Sequence, residues 1–331
     1  MNSRELGTTG LKLSTLSFGA AGIGNLYREV SREDAIATLE AAWEAGIRYF
    51  DTAPHYGHGL SERRLGDFLR DKPEGSYVLS SKVGRLLKPV RASDVPEHGF
   101  VRPLPFAQVH DYSYDGIMRS FEDSLTRLGL NAIDILYIHD LEVTTLGEPG
   151  YAHHFSEFLG GGARALEQLR SSGAVKAVGL GVNEVPACLN LLDRIPLDAI
   201  LLAGRYTLLD RSAAPELLDR CRETGTKLVI GGVFNSGILA TGARPGATFN
   251  YAEAAPDIME KVRAMEEVAA QAGTTLAAAA LHFPLRDPLT ASVLIGTAKP
   301  SSLWRNVEVF DTPVPQDAWP RFDALALSSG G

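Results

Sequence analysis

A chain of 331 residues, 45% of them hydrophobic and with a formal net charge of -8, can bury one large α/β core or two ordinary ones. Its acidic balance, with a pI near 5.5, argues against a general nucleic-acid or anionic-membrane surface. No apolar run reaches the ~20 residues of a spanning helix, the start MNSRELGTTG has no signal-peptide core, and two cysteines, Cys188 and Cys221, are too few for a disulfide scaffold. A cytoplasmic protein acting on a small molecule, as monomer or homodimer, is the expectation.

Residues 4–13 read as a small hairpin turning at Thr9-Gly10, placed to plug the floor of a barrel. Beyond it, short apolar runs alternate with longer amphipathic ones. Strands are predicted at 16–19, 48–51, 77–82, 133–139, 175–182, 199–203, 227–231 and 292–296. Helices are predicted at 32–45, 61–70, 114–128, 162–171, 185–193, 214–224 and 301–309, with an extra one over 274–283. Ser31 with Asp34 suits the start of the first helix, and Gly46 its end. Eight strands alternating with helices predict a (β/α)8 TIM barrel. No flexible linker breaks the rhythm, so residues 1–331 are expected to form a single domain. The connections 86–113 and 141–161 are expected to be long loops walling the C-terminal face, and residues 325–331 are expected to fray.

Asp51, Lys82 and His139 fall at the ends of three consecutive predicted strands, with Tyr56 on the loop after the first of the three. That rim is where a barrel carries its chemistry. A phenol alone loses its proton near pKa ~10. An ammonium beside it favours the phenolate, a buried carboxylate holds the ammonium, and a histidine can hydrogen-bond a substrate oxygen. The pattern predicts Tyr56 as acid or base, Lys82 as its electrostatic partner, Asp51 as the anchor of Lys82, and His139 as the group that orients substrate. Taken singly, an Asp at a strand end more often caps a loop, and a lone His more often packs. Four matched types on one rim weigh against that reading. His55 with His58, and the adjacent His153-His154, invite a metal, but no cysteine or carboxylate completes a four-ligand spacing and none is expected. Cys188 and Cys221 fall on predicted helices as small buried hydrophobes.

Several segments occur together in one order: Leu6-Gly7-Thr8-Thr9-Gly10-Leu11-Lys12-Leu13-Ser14, Asp51-Thr52-Ala53-Pro54-His55-Tyr56-Gly57 with Ser61-Glu62, and Ser80-Ser81-Lys82-Val83. Ser124-Leu125-Thr126-Arg127-Leu128-Gly129, Asp134-Ile135-Leu136-Tyr137-Ile138-His139 and Ile295-Gly296-Thr297-Ala298-Lys299 come after them. In these the chain resembles the aldo-keto reductases along almost its whole length. The resemblance implies a TIM barrel, a nicotinamide cofactor bound without a Gly-x-Gly-x-x-Gly turn, and the catalytic tetrad Asp51, Tyr56, Lys82 and His139. It also implies cofactor contacts from Gly22, Asp51 and Asn183, the last at the nicotinamide amide.

The chain departs from that pattern in places. Val182 replaces the family's usual serine, Ala203 a glutamine, and Gly231 the aromatic that commonly stacks on nicotinamide. Gly231, Val233, Phe234, Asn235, Ser236 and Gly237 can still wrap a pyrophosphate with backbone N–H groups. Ile295, Gly296, Thr297, Lys299, Ser302 and Asn306 are expected at the adenosine end. Ser302 and Gly296 stand where relatives carry basic residues for a 2'-phosphate, which predicts NAD over NADP, while Lys299 keeps NADP open.

The segment Gly232-Val233-Phe234-Asn235-Ser236-Gly237-Ile238-Leu239-Ala240 is similar to the branch that oxidises sugars at C1, of L-fucose, L-galactose or D-threo-aldose type, and to a pyridoxal dehydrogenase. The resemblance implies hydride removal from the anomeric carbon of a cyclic aldose to give a lactone, Tyr56 taking the proton and His139 binding the reacting hydroxyl. Asp140 and His110 are candidates for further sugar hydroxyls, against loop solvation and helix capping. The alternatives are a pyridoxal 4-dehydrogenase, an NADPH-dependent aldehyde or ketone reductase, and a non-catalytic nicotinamide-binding regulatory subunit.

Overall fold

The computed structural model describes residues 1–327. Eight parallel strands, Leu16–Gly19, Tyr49–Asp51, Val78–Val83, Ile135–His139, Ala177–Val182, Ala199–Ala203, Lys227–Gly231 and Thr290–Gly296, pair in chain order, and the last closes on the first. Each lies within two residues of its predicted bounds. The strands are buried on both faces, so they read as short continuous apolar runs rather than alternating ones. Phe18, Phe50, Leu136, Leu180, Leu202 and Ile230 face outward into the layer under the helices. Tyr49, Val78, Ile135, Tyr137, Ala199 and Val229 face inward and meet Leu6, Leu11 and Leu13. Those leucines belong to the hairpin of Ser3–Glu5 with Lys12–Ser14, which plugs the floor. Burying each contributes about 2 kcal/mol.

Helix Arg32–Glu44 starts as its sequence predicts: Ser31 Oγ accepts the Asp34 N–H at 2.9 Å, and Gly46 turns the chain out at φ +84°. Four stretches differ from expectation. The connection 86–113 is not all loop but carries an antiparallel pair, Arg85–Pro89 with Phe106–His110, whose proline and charges mask any alternation. Within 141–161 the helix Val143–Glu157 runs through a π-turn, Phe158–Gly162, into Ala163–Ser171. Gly147, Pro149 and Gly150 read as breakers, and the helix is in fact interrupted at Gly147, φ +67°. Helix Pro256–Gln271 is not among the predicted elements, although Ile258, Val262, Met265 and Val268 recur at helical spacing and are buried. Residues 325–327 do not fray: the Leu327 N–H donates to the Leu209 carbonyl at 2.7 Å, while 328–331 lie outside the described residues. No helix among the described residues is long and apolar enough to cross a membrane.

Candidate active site

Strand register sets Asp51 beside Ser80, two residues before Lys82. Lys82 Nζ donates to Asp51 Oδ2 at 2.6 Å and to the Thr52 carbonyl at 2.9 Å, with both charged side chains sealed from solvent. Ser80 Oγ donates to Asp51 Oδ1 at 2.7 Å. A carboxylate only accepts, which fixes the order of the remaining hydroxyls: Tyr137 donates to Tyr49 at 3.1 Å, and Tyr49 to Ser80 at 3.0 Å. Burial raises the Asp51 carboxyl above its ordinary range, with Lys82 opposing. Burial also works against the Lys82 ammonium, yet Asp51 and Tyr56 carry it above an ordinary lysine. The short contact and the serine's donation keep the pair ionised.

Tyr56 sits in a turn closed by its N–H on the Ala53 carbonyl at 3.1 Å. Its backbone packs on the turn Gly22–Gly24 so closely that a Cβ at Gly24 would lie 2.9 Å from the Tyr56 carbonyl carbon. Lys82 Nζ lies 4.7 Å from the centre of the Tyr56 ring. Burial raises the phenol to about 12, and Lys82 is the chief opposing influence. The His139 ring stands edge-on to Tyr56 at 6.0 Å, and its carbonyl accepts from Tyr112 Oη at 2.6 Å. Burial, then Arg85 and Lys82, hold His139 well below its usual pKa, so the ring is neutral. Its Nε2 lies 3.4 Å from Asp140 Oδ2 while Nδ1 is buried with no partner among the described residues, which assigns the proton to Nε2.

All four predicted rim residues therefore come together. Asp51 is sealed behind Lys82, and the other three open on a cavity of about 330 Å³ that Tyr56, Lys82, His139, Asp140 and Asn183 share with Leu26, Tyr27, His55, His98, Phe100 and Tyr251. Of the last six, the sequence singles out His55 alone, and for a metal. Tyr27 and Tyr251 are 70% and 75% exposed and both adopt left-handed backbone, at φ +61° and +63°. Asp140 lines the cavity but is paired with the buried Arg85. His110 lies outside the cavity: its ring is parallel to Tyr112 at 6.2 Å and next to His154 at 5.8 Å. A carboxylate does join the pair His153-His154, contrary to the sequence reading. Glu157 brings the three ligand atoms within 4.8 Å of one another, but its Oε2 already takes His154 Nδ1 and the Tyr112 N–H.

On the cofactor side, the buried Glu142 grips Asn183 twice, Oε2 accepting its N–H at 2.6 Å and Oε1 accepting Nδ2 at 2.9 Å. Nδ2 must therefore face Glu142, which leaves Asn183 Oδ1 and one Nδ2 hydrogen for a ligand. Val182 and Ala203 form small apolar walls. Nothing lies closer than 3.7 Å to a Cβ built on Gly231, so the aromatic absent there leaves space. Tyr251 enters the cavity from the pair Thr248–Phe249 and Ala252–Glu253.

The N–H groups of Val233 and Phe234 have no partner among the described residues. Asn235 is committed to structure, Oδ1 accepting from Thr207 Oγ1 at 2.6 Å and Nδ2 donating to the Gly204 carbonyl at 3.2 Å. Ser236 Oγ accepts the Tyr251 N–H at 3.0 Å, and Gly237 turns at φ +103°. Ile295 is buried beneath the exposed Gly296, and exposed Lys299 precedes helix Pro300–Asp311, on which Ser302 and Asn306 are partly exposed. Gly22 has no room for a side chain, since a Cβ would sit 3.0 Å from the Thr297 carbonyl. Free amides, a lysine and an unclaimed carboxamide oxygen suit a dinucleotide.

The aldo/keto reductase family matches the chain over residues 15–327. The chain is 45% identical over 335 residues to pyridoxal 4-dehydrogenase of Microbacterium luteolum, covering 98% of each. It is 40% identical over 315 residues to D-threo-aldose 1-dehydrogenase of a Pseudomonas species, covering 94% of this chain and 93% of that one. An aldo-keto reductase from Bacillus halodurans in its holo form has the same fold, with TM-score 0.76 over 99% and 97% of the two chains at 22% identity. Aldo-keto reductases take NAD(P)H as their hydride carrier. Eight-stranded barrel, rim geometry and relatives together make this chain a member of the aldo/keto reductase family and an oxidoreductase.

Proposed function

We propose that the protein oxidises the anomeric carbon of a cyclic aldose to a lactone, passing hydride to NAD, with Asp51, Tyr56, Lys82 and His139 as the catalytic residues. The observation that carries this reading is the Tyr56 phenol set over Lys82 and edge-on to neutral His139, at a cavity whose wall includes Asn183. Bound nicotinamide supplies the hydride acceptor. The C1–H pair leaves as hydride, Tyr56, ionised beforehand to the phenolate that the Lys82 charge favours, takes the hydroxyl proton and becomes the phenol, and the C1–O bond becomes the lactone carbonyl. His139 Nε2–H holds that oxygen, and Lys82 opposes the burial that keeps the phenol protonated. Asn183 Oδ1 is free for the carboxamide, and the N–H groups of Val233 and Phe234 with Lys299 suit the phosphates. Ser302 and Gly296 offer no cation for a 2'-phosphate, which supports NAD.

Pyridoxal, which closes to a hemiacetal of its own, is a second reading. The aromatic wall of Tyr27, Phe100 and Tyr251 favours it, as does the 45% identity to a pyridoxal 4-dehydrogenase. The test is NADH formation from NAD with L-fucose, L-galactose, D-arabinose, L-xylose and pyridoxal. Turnover of a sugar is expected, with kcat falling roughly a thousandfold in Tyr56→Phe while NADH still binds. Turnover of pyridoxal alone selects the second reading. Silence throughout, or reduction of carbonyls with NADPH only, overturns both.

A further inference from the structure

We propose that His55 determines specificity by accepting a hydrogen bond from a substrate hydroxyl on the carbon next to the one oxidised, and that Arg85, through Gln108, fixes the imidazole tautomer that makes this possible. The inference deepens the reading above and rests on it for the identity of the reacting carbon.

His55 precedes Tyr56, so the turn that aims the phenol aims the imidazole too. The rings of His55, Tyr56 and His139 form a nearly equilateral triangle at the cavity, with sides of 6.1, 6.0 and 5.8 Å. Phe100 abuts the His55 ring edge-on at 5.1 Å. The proton position is set by what each neighbour can do. Arg85 only donates, so the Gln108 atom 3.0 Å from its Nη1 is the carbonyl oxygen Oε1. The same oxygen lies 2.8 Å from His55 Nδ1, so Nδ1 carries the hydrogen. Arg85 Nη1 lies 3.4 Å from that nitrogen and has its better partner in Gln108. Nε2 is then a bare lone pair, with no protein partner among the described residues. Burial first, then Arg85, lower the imidazole to about 3, so it stays an acceptor at neutral pH.

His139 is the complement, with its hydrogen on Nε2 and Asp140 tied to the same Arg85. One guanidinium thus braces a donor imidazole and an acceptor imidazole on two sides of the phenol. The reacting oxygen is shared by Tyr56 and His139. A second hydroxyl on the adjacent carbon can give its proton to His55, and a substrate without it leaves that lone pair unpaired in a partly desolvated wall.

The test has two arms. In the first, ¹⁵N NMR of histidine-labelled protein, assigned with His55→Phe, is expected to show the Nδ1–H tautomer at pH 7, giving way to a mixture in Gln108→Leu. A protonated ring or the Nε2–H tautomer overturns the proposal without any appeal to activity. In the second, kcat/KM with NAD is compared for the best sugar and its 2-deoxy counterpart, for example D-arabinose against 2-deoxy-D-ribose. The wild type is expected to favour the hydroxylated sugar about 100-fold, the preference collapsing in His55→Phe and partly returning in His55→Gln. Equal use of both sugars by wild type, or an unchanged ratio in His55→Phe, overturns it. If no sugar turns over, the sugar reading falls and the hydroxyl contact with it, whereas the NMR arm still decides the tautomer.

Discussion

Glu142 is wholly buried, and its hydrogen-bond partners are the Asn183 N–H, Asn183 Nδ2 and Thr145 Oγ1 rather than a cation. Burial, then the Asp140 charge, raise its pKa. A glutamine there keeps the shape but brings an amide NH2 that must face one of Asn183's donors, so the Asn183 carboxamide can turn over. Glu142→Gln is therefore expected to weaken NAD binding about tenfold, with kcat nearly unchanged and the melting temperature equal or higher, because an isolated buried carboxylate is costly. NADH fluorescence titration beside steady-state kinetics checks this, and an unaltered dissociation constant refutes it. Glu142 has no signal in the sequence: its partner lies 41 residues away and no local motif joins them. Asp51, Tyr56, Lys82 and His139 are legible because each is fixed by the strand end or turn that carries it. Tyr27, His98, Phe100 and Tyr251 are not, because they hang on connections whose path depends on long-range packing.

Helix Leu60–Leu69 crosses helix Tyr114–Leu128 where Gly66 meets the Leu128 carbonyl, with no room for even a methyl group. Gly66→Ala is expected to destabilise the fold by about 3 kcal/mol, read as a lower urea midpoint; a loss under about 1 kcal/mol would show that the helices part freely. Beside that crossing, buried Glu62 accepts from Arg127 Nε at 2.5 Å and from Ser81 Oγ at 3.0 Å. Two segments that carry the family resemblance thus act as scaffold, tying both helices to the strand residue next to Lys82. Element type is legible where burial dictates it, as in the two-sided strands. It is lost where glycine or proline inside an element looks like its end, as at Gly147 and Pro149. Helix Pro256–Gln271 is a different case, since its apolar spacing is present in the sequence but no strand-helix alternation calls for a helix there.

For the whole molecule, the histidines set a limit toward acid. Burial first, then Arg85, lower His110 to about 4, against ~6.5 in an unfolded chain. Between those values the unfolded state takes up a proton that the folded state refuses, so stability is lost as pH falls through the window and the loss is complete below it. Relative to His110→Phe, the wild type is expected to lose at most about 1.4 kcal/mol per pH unit from 6.5 to 4, trimmed by the ring's partial exposure. Thermal melts of both at pH 7 and pH 5 measure it. Parallel shifts would mean that His110 is protonated within the fold.

The plug of Leu6, Leu11 and Leu13 fills the lower end of the barrel, while the cavity side chains Tyr27, His98, Phe100 and Tyr251 hang from the rim. Among the described residues, Leu201 of strand Ala199–Ala203 alone both packs in the buried cluster around the plug and lines the cavity. Inheritance of the two properties is therefore separable. Insertions at the rim can be exchanged and diversify substrate range over generations while the sealed end keeps the barrel intact, so a lineage built on this frame can change what it consumes without first relearning how to fold.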